Sequence, residues 1–148
     1  METASRQLCD QILAFVSRCK TIFLHCAENE GLTYVQLYVL YMVYHEPLTM
    51  GHLATTLHCD ASNITGVVER LVRRKLLTRQ PSQQDRRVKV LAITEAGQQL
   101  VDDLRSKLPS LLGCTSLSAA ESKQLQDLLL KLTSSQDVDG SQPSSIHG

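Results

Sequence analysis

The chain has 148 residues, of which 43% are hydrophobic and 20% charged, and its 15 basic and 15 acidic side chains cancel. This length fits one domain with an adequate core, and the composition is typical of a globular chain rather than a disordered one. No apolar run approaches the roughly 18 residues of a membrane span, and the first 20 residues lack a signal-peptide core, so we expect a cytoplasmic protein.

The N-terminal part of the chain predicts two helices. Six apolar positions recur at alternating spacings of three and four, which indicates an amphipathic helix ending near Gly31. These positions are Leu8, Ile12, Phe15, Cys19, Ile22 and Cys26. A second helix, at about 33–44, is nearly all apolar and stops before Pro47, because proline disfavours a helical residue before it. We expect this second helix to be buried.

The next segment predicts two further helices joined by a turn. Thr49 is a suitable N-cap for a short helix at 50–57, and Asp60 caps a longer one from Ala61 to about Arg74. One face of the longer helix is apolar, with Ile64, Val67, Val68 and Leu71. The opposite face is polar and basic, with Ser62, Asn63, Thr65, Gly66, Glu69, Arg70 and Arg73. This arrangement is typical of a helix-turn-helix whose second helix enters the DNA major groove.

Gly66 supports this interpretation. A glycine inside a helix costs about 1 kcal/mol relative to alanine, and close approach of the helix to another surface can offset that cost. The alternative is an ordinary amphipathic surface helix.

The charge is distributed unevenly. Residues 61–90 hold eight Lys or Arg against Glu69 and Asp85, a balance of +6, so the rest of the chain sums to −6. A basic segment in an acidic frame predicts a polyanionic partner such as nucleic acid, although a charge cluster alone is more often a solvated face.

Residues 76–93 predict a β-hairpin with a basic tip. Two β-prone runs, 76–80 and 87–93, flank the turn-rich segment Pro81-Ser82-Gln83-Gln84-Asp85. Arg86 and Arg87 follow that turn, and the negative potential of the DNA minor groove attracts arginine. A hairpin directly after a recognition-type helix is therefore interpreted as a wing, whereas in isolation it would be interpreted as a solvated turn.

Two more helices complete the chain. Thr94 is an N-cap for a helix running to Pro109, and Ser118 begins the last helix, where Glu121 completes a capping-box pattern. The last helix carries a leucine stripe that needs a partner, formed by Leu125, Leu128, Leu129 and Leu132. From residue 135 the chain turns polar and rich in Gly and Pro, which predicts a flexible tail at 135–148.

These segments resemble the MarR-type winged-helix transcriptional regulators. The resemblance covers about residues 30–100 and is carried by LTYVQLYVL, by LTMGHLATTLHCDASNITGVVERLVRRKLLTR and by DRRVKVLAITEAG. It implies a mainly α fold with a small β wing, as one domain at 1–134, with a winged helix-turn-helix lobe at about 33–94 and dimerisation helices at 1–30 and 95–134. It also implies a homodimeric repressor that binds a pseudo-palindromic operator and is released by a small ligand or by thiol oxidation.

The resemblance also assigns roles to individual residues. Arg87 would enter the minor groove, Arg86 would lie near a phosphate, and Asp85 would orient the wing tip. The ion-pair partner of Asp85 would be Arg74 or Arg79, and the sequence leaves the choice open. The residues facing the major groove, its bases or nearby phosphates would be Ser62, Asn63, Thr65, Gly66, Arg70 and Arg73.

Lys75 departs from the family pattern, which usually has glycine at this position. A lysine here must either adopt a left-handed backbone conformation or continue the helix by one residue. The orientation of the wing depends on which of the two occurs.

The second helix offers a candidate ligand pocket. Tyr34, Tyr38, Tyr41 and His45 are amphipathic aromatic residues of the kind that binds phenolic or carboxylate molecules. The commoner alternative is that they are core residues with satisfied hydroxyls.

The cysteines favour reduced thiols, since five are present without a CxxC spacing. Cys9, in RQLCDQ, resembles the reactive cysteine of the peroxide-sensing OhrR-like branch, although the neighbouring carboxylate of Asp10 disfavours a reactive thiolate. The alternative role for Cys9 is a small apolar residue at the dimer interface. His52, His58 and Cys59 match no standard zinc spacing, so we expect no metal or other cofactor.

No nucleophile–base pair, phosphate loop or paired carboxylates occur at a useful spacing, so the sequence does not indicate an enzyme. The alternative to a sequence-specific regulator is a winged-helix module that binds DNA without sequence preference or binds another protein.

Overall fold

A computed structural model describes residues 2–134, and the tail expected at 135–148 lies outside the described residues. The predicted architecture is confirmed, since the chain is mostly helical with a small antiparallel sheet. The elements are α1 (Glu2–Asn29), α2 (Tyr34–His45), α3 (Met50–Thr56), α4 (Ala61–Arg73), β1 (Leu77–Pro81), β2 (Lys89–Ile93), α5 (Glu95–Leu111), a 3₁₀ turn (Cys114–Ser116) and α6 (Ala119–Ser134). Within residues 2–134, no helix is both long and apolar enough to cross a membrane.

The described residues divide into two compact units, the first ending at Leu112 and the second beginning at Gly113. In the second unit, the predicted capping box of α6 is confirmed: Ser118 N donates to Glu121 Oε2 at 2.8 Å, and Glu121 N donates to Ser118 Oγ at 3.3 Å. These hydrogen bonds lower the pKa of the Glu121 carboxyl. The leucines of α6 are exposed, namely Leu125, Leu128, Leu129, Leu130 and Leu132.

Three threonines begin helices of the first unit in the same way. Each N-cap hydroxyl accepts a hydrogen bond from the backbone N–H three residues later. The pairs are Thr33 with Gln36 (3.2 Å), Thr49 with His52 (3.1 Å) and Thr94 with Gly97 (3.1 Å). Asp60 occupies the N-cap of α4 with extended backbone, but among the described residues its side chain accepts no capping bond. The predicted side-chain cap of α4 is therefore wrong.

The core of the first unit lies around α2. Four aliphatic side chains of α2, Leu37, Val39, Leu40 and Val43, are buried, while Val35 and the tyrosines are half-buried. The buried set around it comprises Leu37, Val39, Leu40, Val43, Leu53, Ile64, Val68, Leu71, Leu77, Leu91 and Val101. Burying one such side chain stabilises a fold by about 1.5–3 kcal/mol relative to leaving it exposed. This packing holds α4 with its apolar face inward.

The hairpin pairs β1 with β2 in an antiparallel register, with Leu77 opposite Ile93 and Pro81 opposite Lys89. β2 begins two residues later than predicted, because the turn of the tip extends to Val88, whose N–H donates to Asp85 O at 3.0 Å.

A third segment joins the hairpin at β2. Leu48 and Leu91 exchange two backbone hydrogen bonds, of 3.1 and 2.8 Å. Pro47 predicts a helix stop but not this bridge, since Leu48 and Leu91 lie far apart in sequence. The bridge connects the C-terminal end of α2 to the wing.

α5 extends two residues past the predicted end at Pro109, to Leu111. The helix continues through Pro109 for two more residues, although proline lacks the N–H donor and its ring crowds the carbonyl of the preceding turn. Earlier in the helix, Asp102 accepts a hydrogen bond from the Tyr44 hydroxyl at 2.6 Å, and this bond raises the pKa of Tyr44. α5 is thereby connected to the end of α2.

Candidate functional site

The exposed face of α4 is the polar and basic face that the sequence predicts. Ile64, Val68 and Leu71 point into the core, because residues three and four apart share one side of a helix. The residues left exposed include Ser62, Asn63, Gly66, Glu69, Arg70 and Arg73. Thr65 lies at the edge of this face, half-buried, and its hydroxyl donates to Ala61 O at 2.8 Å. The helix therefore presents short polar side chains at its N-terminal end and guanidinium groups at its C-terminal end.

Gly66 lies at the centre of this face. A Cβ built on Gly66 would have no heavy atom of the described chain within 4 Å, apart from its own helix backbone and chain neighbours. Packing within the chain therefore gives no reason for a glycine at this position. The flat, exposed surface suits the close approach of a second molecule.

The wing tip carries two exposed arginines, Arg86 and Arg87. Asp85 orders the tip, since its Oδ1 accepts a hydrogen bond from Arg87 N at 2.9 Å and its carbonyl accepts one from Val88 N at 3.0 Å. Below the tip, Ser82 N donates to Val88 O at 2.8 Å. The guanidinium groups thus extend from a loop with a defined backbone.

The structure corrects the predicted ion pair of Asp85. Arg74 donates instead to Gly31 O and Glu30 O, both at 2.9 Å. Arg79, on β1, lines a shallow groove that Glu69 and Arg73 of α4 also line. The sequence could not reveal the partners of Arg74, because Gly31 and Glu30 lie 43 and 44 residues away from it in the chain.

Lys75 takes the left-handed conformation, with φ of 60°. Its N–H donates to Val72 O at 2.9 Å, and Leu76 N donates to Leu71 O at 3.0 Å. This pair of bonds is the Schellman motif that normally ends in glycine. Of the two conformations open to this lysine, the strained one occurs, and the recognition-type helix stops where glycine would stop it.

Thr94 and Gly97 fasten the base of the wing. The single hydroxyl hydrogen of Thr94 is shared between Lys75 O, at 2.6 Å, and Leu76 O, at 3.0 Å, while the hydroxyl oxygen accepts from Gly97 N. A Cβ on Gly97 would lie 2.2 Å from Leu76 O. The sequence predicts the N-cap role of Thr94 but not the role of Gly97, because the close approach to Leu76 joins two distant segments.

The three tyrosines of the candidate ligand pocket line one cavity of about 350 Å³. Phe23 of α1 meets each of them edge-on, with ring centroids 5.7–6.4 Å apart. The ammonium of Lys20 lies 5.9 Å from the centroid of the Tyr34 ring. The full lining is Val16, Cys19, Lys20, Phe23, Tyr34, Tyr38, Tyr41, Leu108 and Leu112.

His45 does not line this cavity. It makes an edge contact with Tyr41 at 5.0 Å, one turn further along α2. Lys20, Phe23 and Leu108 were missed by sequence analysis, since only the packing of α1 and α5 against α2 brings them to the tyrosines.

The candidate redox residue, Cys9, is exposed on α1. Cys26, further along the same helix, is half-buried, and its desolvation raises the pKa of the thiol. Of the two, Cys9 is the more accessible to an oxidant.

Comparison with known proteins gives a consistent result. Residues 30–88 match the model of the MarR family. The chain is 27% identical over 127 residues to the organic hydroperoxide resistance transcriptional regulator of Bacillus subtilis (strain 168), covering 85% of this chain and 86% of that protein. It is 32% identical over 126 residues to the HTH-type transcriptional repressor NicR of Pseudomonas putida, covering 83% of this chain and 80% of NicR.

Solved structures agree with these relatives. CouR from Rhodococcus jostii RHA1, solved bound to p-coumaroyl-CoA, superimposes with a TM-score of 0.65 at 25% identity, covering 86% of this chain and 93% of CouR. The family, fold and non-enzymatic function predicted from the sequence are confirmed. The fold, the exposed basic face of α4 and the identity to NicR show that the chain belongs to the MarR family of DNA-binding transcriptional regulators.

Proposed function

We propose that this regulator is a homodimeric repressor that binds a pseudo-palindromic operator and is released by a small-molecule ligand or by thiol oxidation. The observation that carries the proposal is the pairing of an exposed polar and basic face on α4 with an arginine-bearing wing tip. The major groove is wide enough to admit such a helix, and the minor groove attracts such arginines. The repressor role is supported by NicR, which is named a repressor.

On this proposal, different residues of α4 contact the bases and the phosphates of the operator. Ser62, Asn63, Thr65 and Gly66 face the bases, and Arg70 and Arg73 contact bases or phosphates. Arg87 enters the minor groove, with Arg86 beside a phosphate. Asp85 holds the backbone of the tip through its bond to Arg87 N.

Self-association is supported by the exposed apolar side chains of α1. Leu8, Phe15 and Val16 are 51%, 51% and 55% exposed, which is unfavourable for a helix facing only water. α6, in the second unit, carries exposed leucines of the same kind. We assign both helices to the dimer interface, which would make residues 1–134 one folded assembly with its partner.

The tyrosine cavity supports a ligand-controlled release. Its volume of about 350 Å³ suits a small molecule, and its walls are aromatic with one cation, Lys20, beside Tyr34. An aromatic carboxylate or a phenolic acid derivative matches this chemistry. The p-coumaroyl group bound by CouR belongs to the same class.

Thiol oxidation is the second release route. Cys9 is exposed, and the Bacillus subtilis relative is named for organic hydroperoxide resistance. The alternative role for Cys9, a small residue at the dimer interface, predicts that its replacement by serine leaves peroxide sensitivity unchanged.

The decisive experiment is selection of bound duplexes from a random-sequence pool by the purified protein at near-physiological salt. Enrichment of a palindrome with half-sites about one helical turn apart supports the proposal and provides an operator for screening ligands and oxidants. Binding without enrichment would favour a non-specific DNA-binding module, and no binding would overturn the assignment of the DNA-binding surface.

The Arg87→Ala variant tests the wing within the same experiment. We expect it to weaken operator binding about tenfold to a hundredfold, because one charged contact to DNA is lost. The slope of log affinity against log salt concentration should become shallower by about one. Gln84→Ala is the matched control, since Gln84 is an uncharged, exposed residue of the same tip. Equal operator affinity of the Arg87→Ala variant and the native protein would remove Arg87 from the interface.

A further inference from the structure

Arg74 connects the end of α4 to the corner between α1 and α2. It is the C-cap residue of α4, and its Nη1 and Nη2 donate to Gly31 O and Glu30 O, each at 2.9 Å. These carbonyls directly follow α1 and lie 43 and 44 residues from Arg74 in sequence. One guanidinium therefore holds two elements together with a fixed, forked geometry.

The carbonyls that Arg74 contacts are ones that favour a cation. α1 ends in a Schellman motif in which Gly31 has a φ of 63°, and this motif uses the carbonyls of Ala27 and Glu28. The carbonyls of Glu30 and Gly31 accept from Arg74 at the negative end of the helix dipole. A charge-assisted bond at this place is stronger than one between neutral groups.

Arg70, Arg73 and Arg74 line the same surface cavity, together with Gly31, Leu32, Thr33 and Gln36. Arg74 differs from the other two in the side of the helix from which it extends. Arg73 lies on the exposed face that also carries Gly66, because seven residues bring an α-helix almost back to the same angle. Arg74 is rotated by about 100° from Arg73, towards the α1–α2 corner. The sequence suggests an ion pair of Arg74 with Asp85, but its Nη1 and Nη2 donate to the α1–α2 corner instead.

We propose that Arg74 is a positioning residue for operator recognition. It fixes the C-terminal end of α4 against the α1–α2 corner, and α1 carries the face assigned to dimerisation. In a dimer, this brace sets the separation and tilt of the two recognition helices. Arg74 therefore selects the spacing between half-sites rather than any base, an inference that rests on the proposed function.

The test uses a panel of operators whose half-site spacing is shortened or lengthened one base pair at a time. Arg74→Gln removes the forked pair of hydrogen bonds. We expect the ratio of the affinity for the best spacing to the affinity for neighbouring spacings to fall about fivefold or more. About fivefold is the lower end of the coupling between distant sites. The salt dependence of binding should stay unchanged, because no phosphate contact is lost. Arg74→Lys, which can still donate to both carbonyls, should restore most of the spacing preference.

Arg73→Gln is the matched control from the same helical turn. It is expected to weaken binding equally at all spacings. The slope of log affinity against log salt concentration should become shallower by about 0.9, as for one lost phosphate contact. The same behaviour in Arg74→Gln would make Arg74 a DNA contact and overturn the inference, as would an unchanged spacing preference. A native protein without any spacing optimum would overturn the proposed function as well.

Discussion

Lys75 occupies a backbone conformation that glycine adopts at lower cost. With φ of 60°, its Cβ crowds the following carbonyl oxygen, a strain of about 1–2 kcal/mol for an L-residue. At the equivalent position after α1 the chain has Gly31, with φ of 63°. The strain at Lys75 is tolerated because Thr94 and the Schellman bonds hold the loop from both sides.

Replacing Lys75 with glycine should stabilise the protein. We expect the free energy of unfolding to rise by about 0.5–1 kcal/mol, after subtracting the larger entropy of glycine in the unfolded chain. Urea unfolding measures the change. Lys75→Ala is the control, because alanine keeps the left-handed strain while removing the charge. An equal gain in both variants would assign the effect to charge and not to backbone strain.

At the scale of elements, α5 approaches the base of the wing closely at Gly97, where there is no room for a side chain. The first turn of α5 lies directly against the strand, with Gly97 N bonded to Thr94 Oγ1 and the Gly97 Cα facing Leu76 O. A methyl group there would lie 2.2 Å from Leu76 O and 2.8 Å from Ile93 Cγ1. Because the nearer atom belongs to the backbone, α5 or the wing would have to move.

Gly97→Ala should therefore destabilise the fold by about 1–3 kcal/mol, as overpacking does, and displace the wing relative to α4. The measurement is the midpoint of thermal or urea unfolding. Gly66→Ala is the matched control, since it is also a helix-interior glycine but has open space around it, and it should stabilise the fold by up to about 1 kcal/mol. Similar losses in the two variants would contradict the packing at Gly97.

Most helix caps and helix faces were predictable from the sequence, because they depend on residues within four positions of each other. Thr49 and Thr94 cap the helices expected to begin there, whereas the cap at Thr33 was not predicted. The bridge from Leu48 to Leu91 was not predictable, since strand pairing across 43 positions leaves no local pattern beyond a short apolar run.

At the scale of the whole molecule, the surface of α1 indicates an assembly larger than one chain. Phe15 is 51% exposed and lies on the stripe that begins at Leu8. We expect Phe15→Glu to shift a dimer towards monomer and to weaken operator binding, because a carboxylate would have to be buried at the interface. Sedimentation equilibrium over a range of concentrations measures the shift.

Ser17→Glu is the control for this substitution. Ser17 is exposed on the opposite side of α1, about 200° around the helix from Phe15, and the variant introduces the same charge. It should leave the mass of the assembly unchanged. If Phe15→Glu also left it unchanged, the assignment of α1 to the dimer interface would fail.

The sequence by itself determined the family, the order of helices and strands, and the residues of the exposed face of α4. These follow from periodicity and capping, which are interactions between residues close in the chain. Only the tertiary structure decided which partners Arg74 takes, that Gly97 must be a glycine and that Phe23 and Lys20 complete the tyrosine cavity. Such contacts join segments far apart in sequence, so they depend on the packing of whole elements, and no local pattern encodes them.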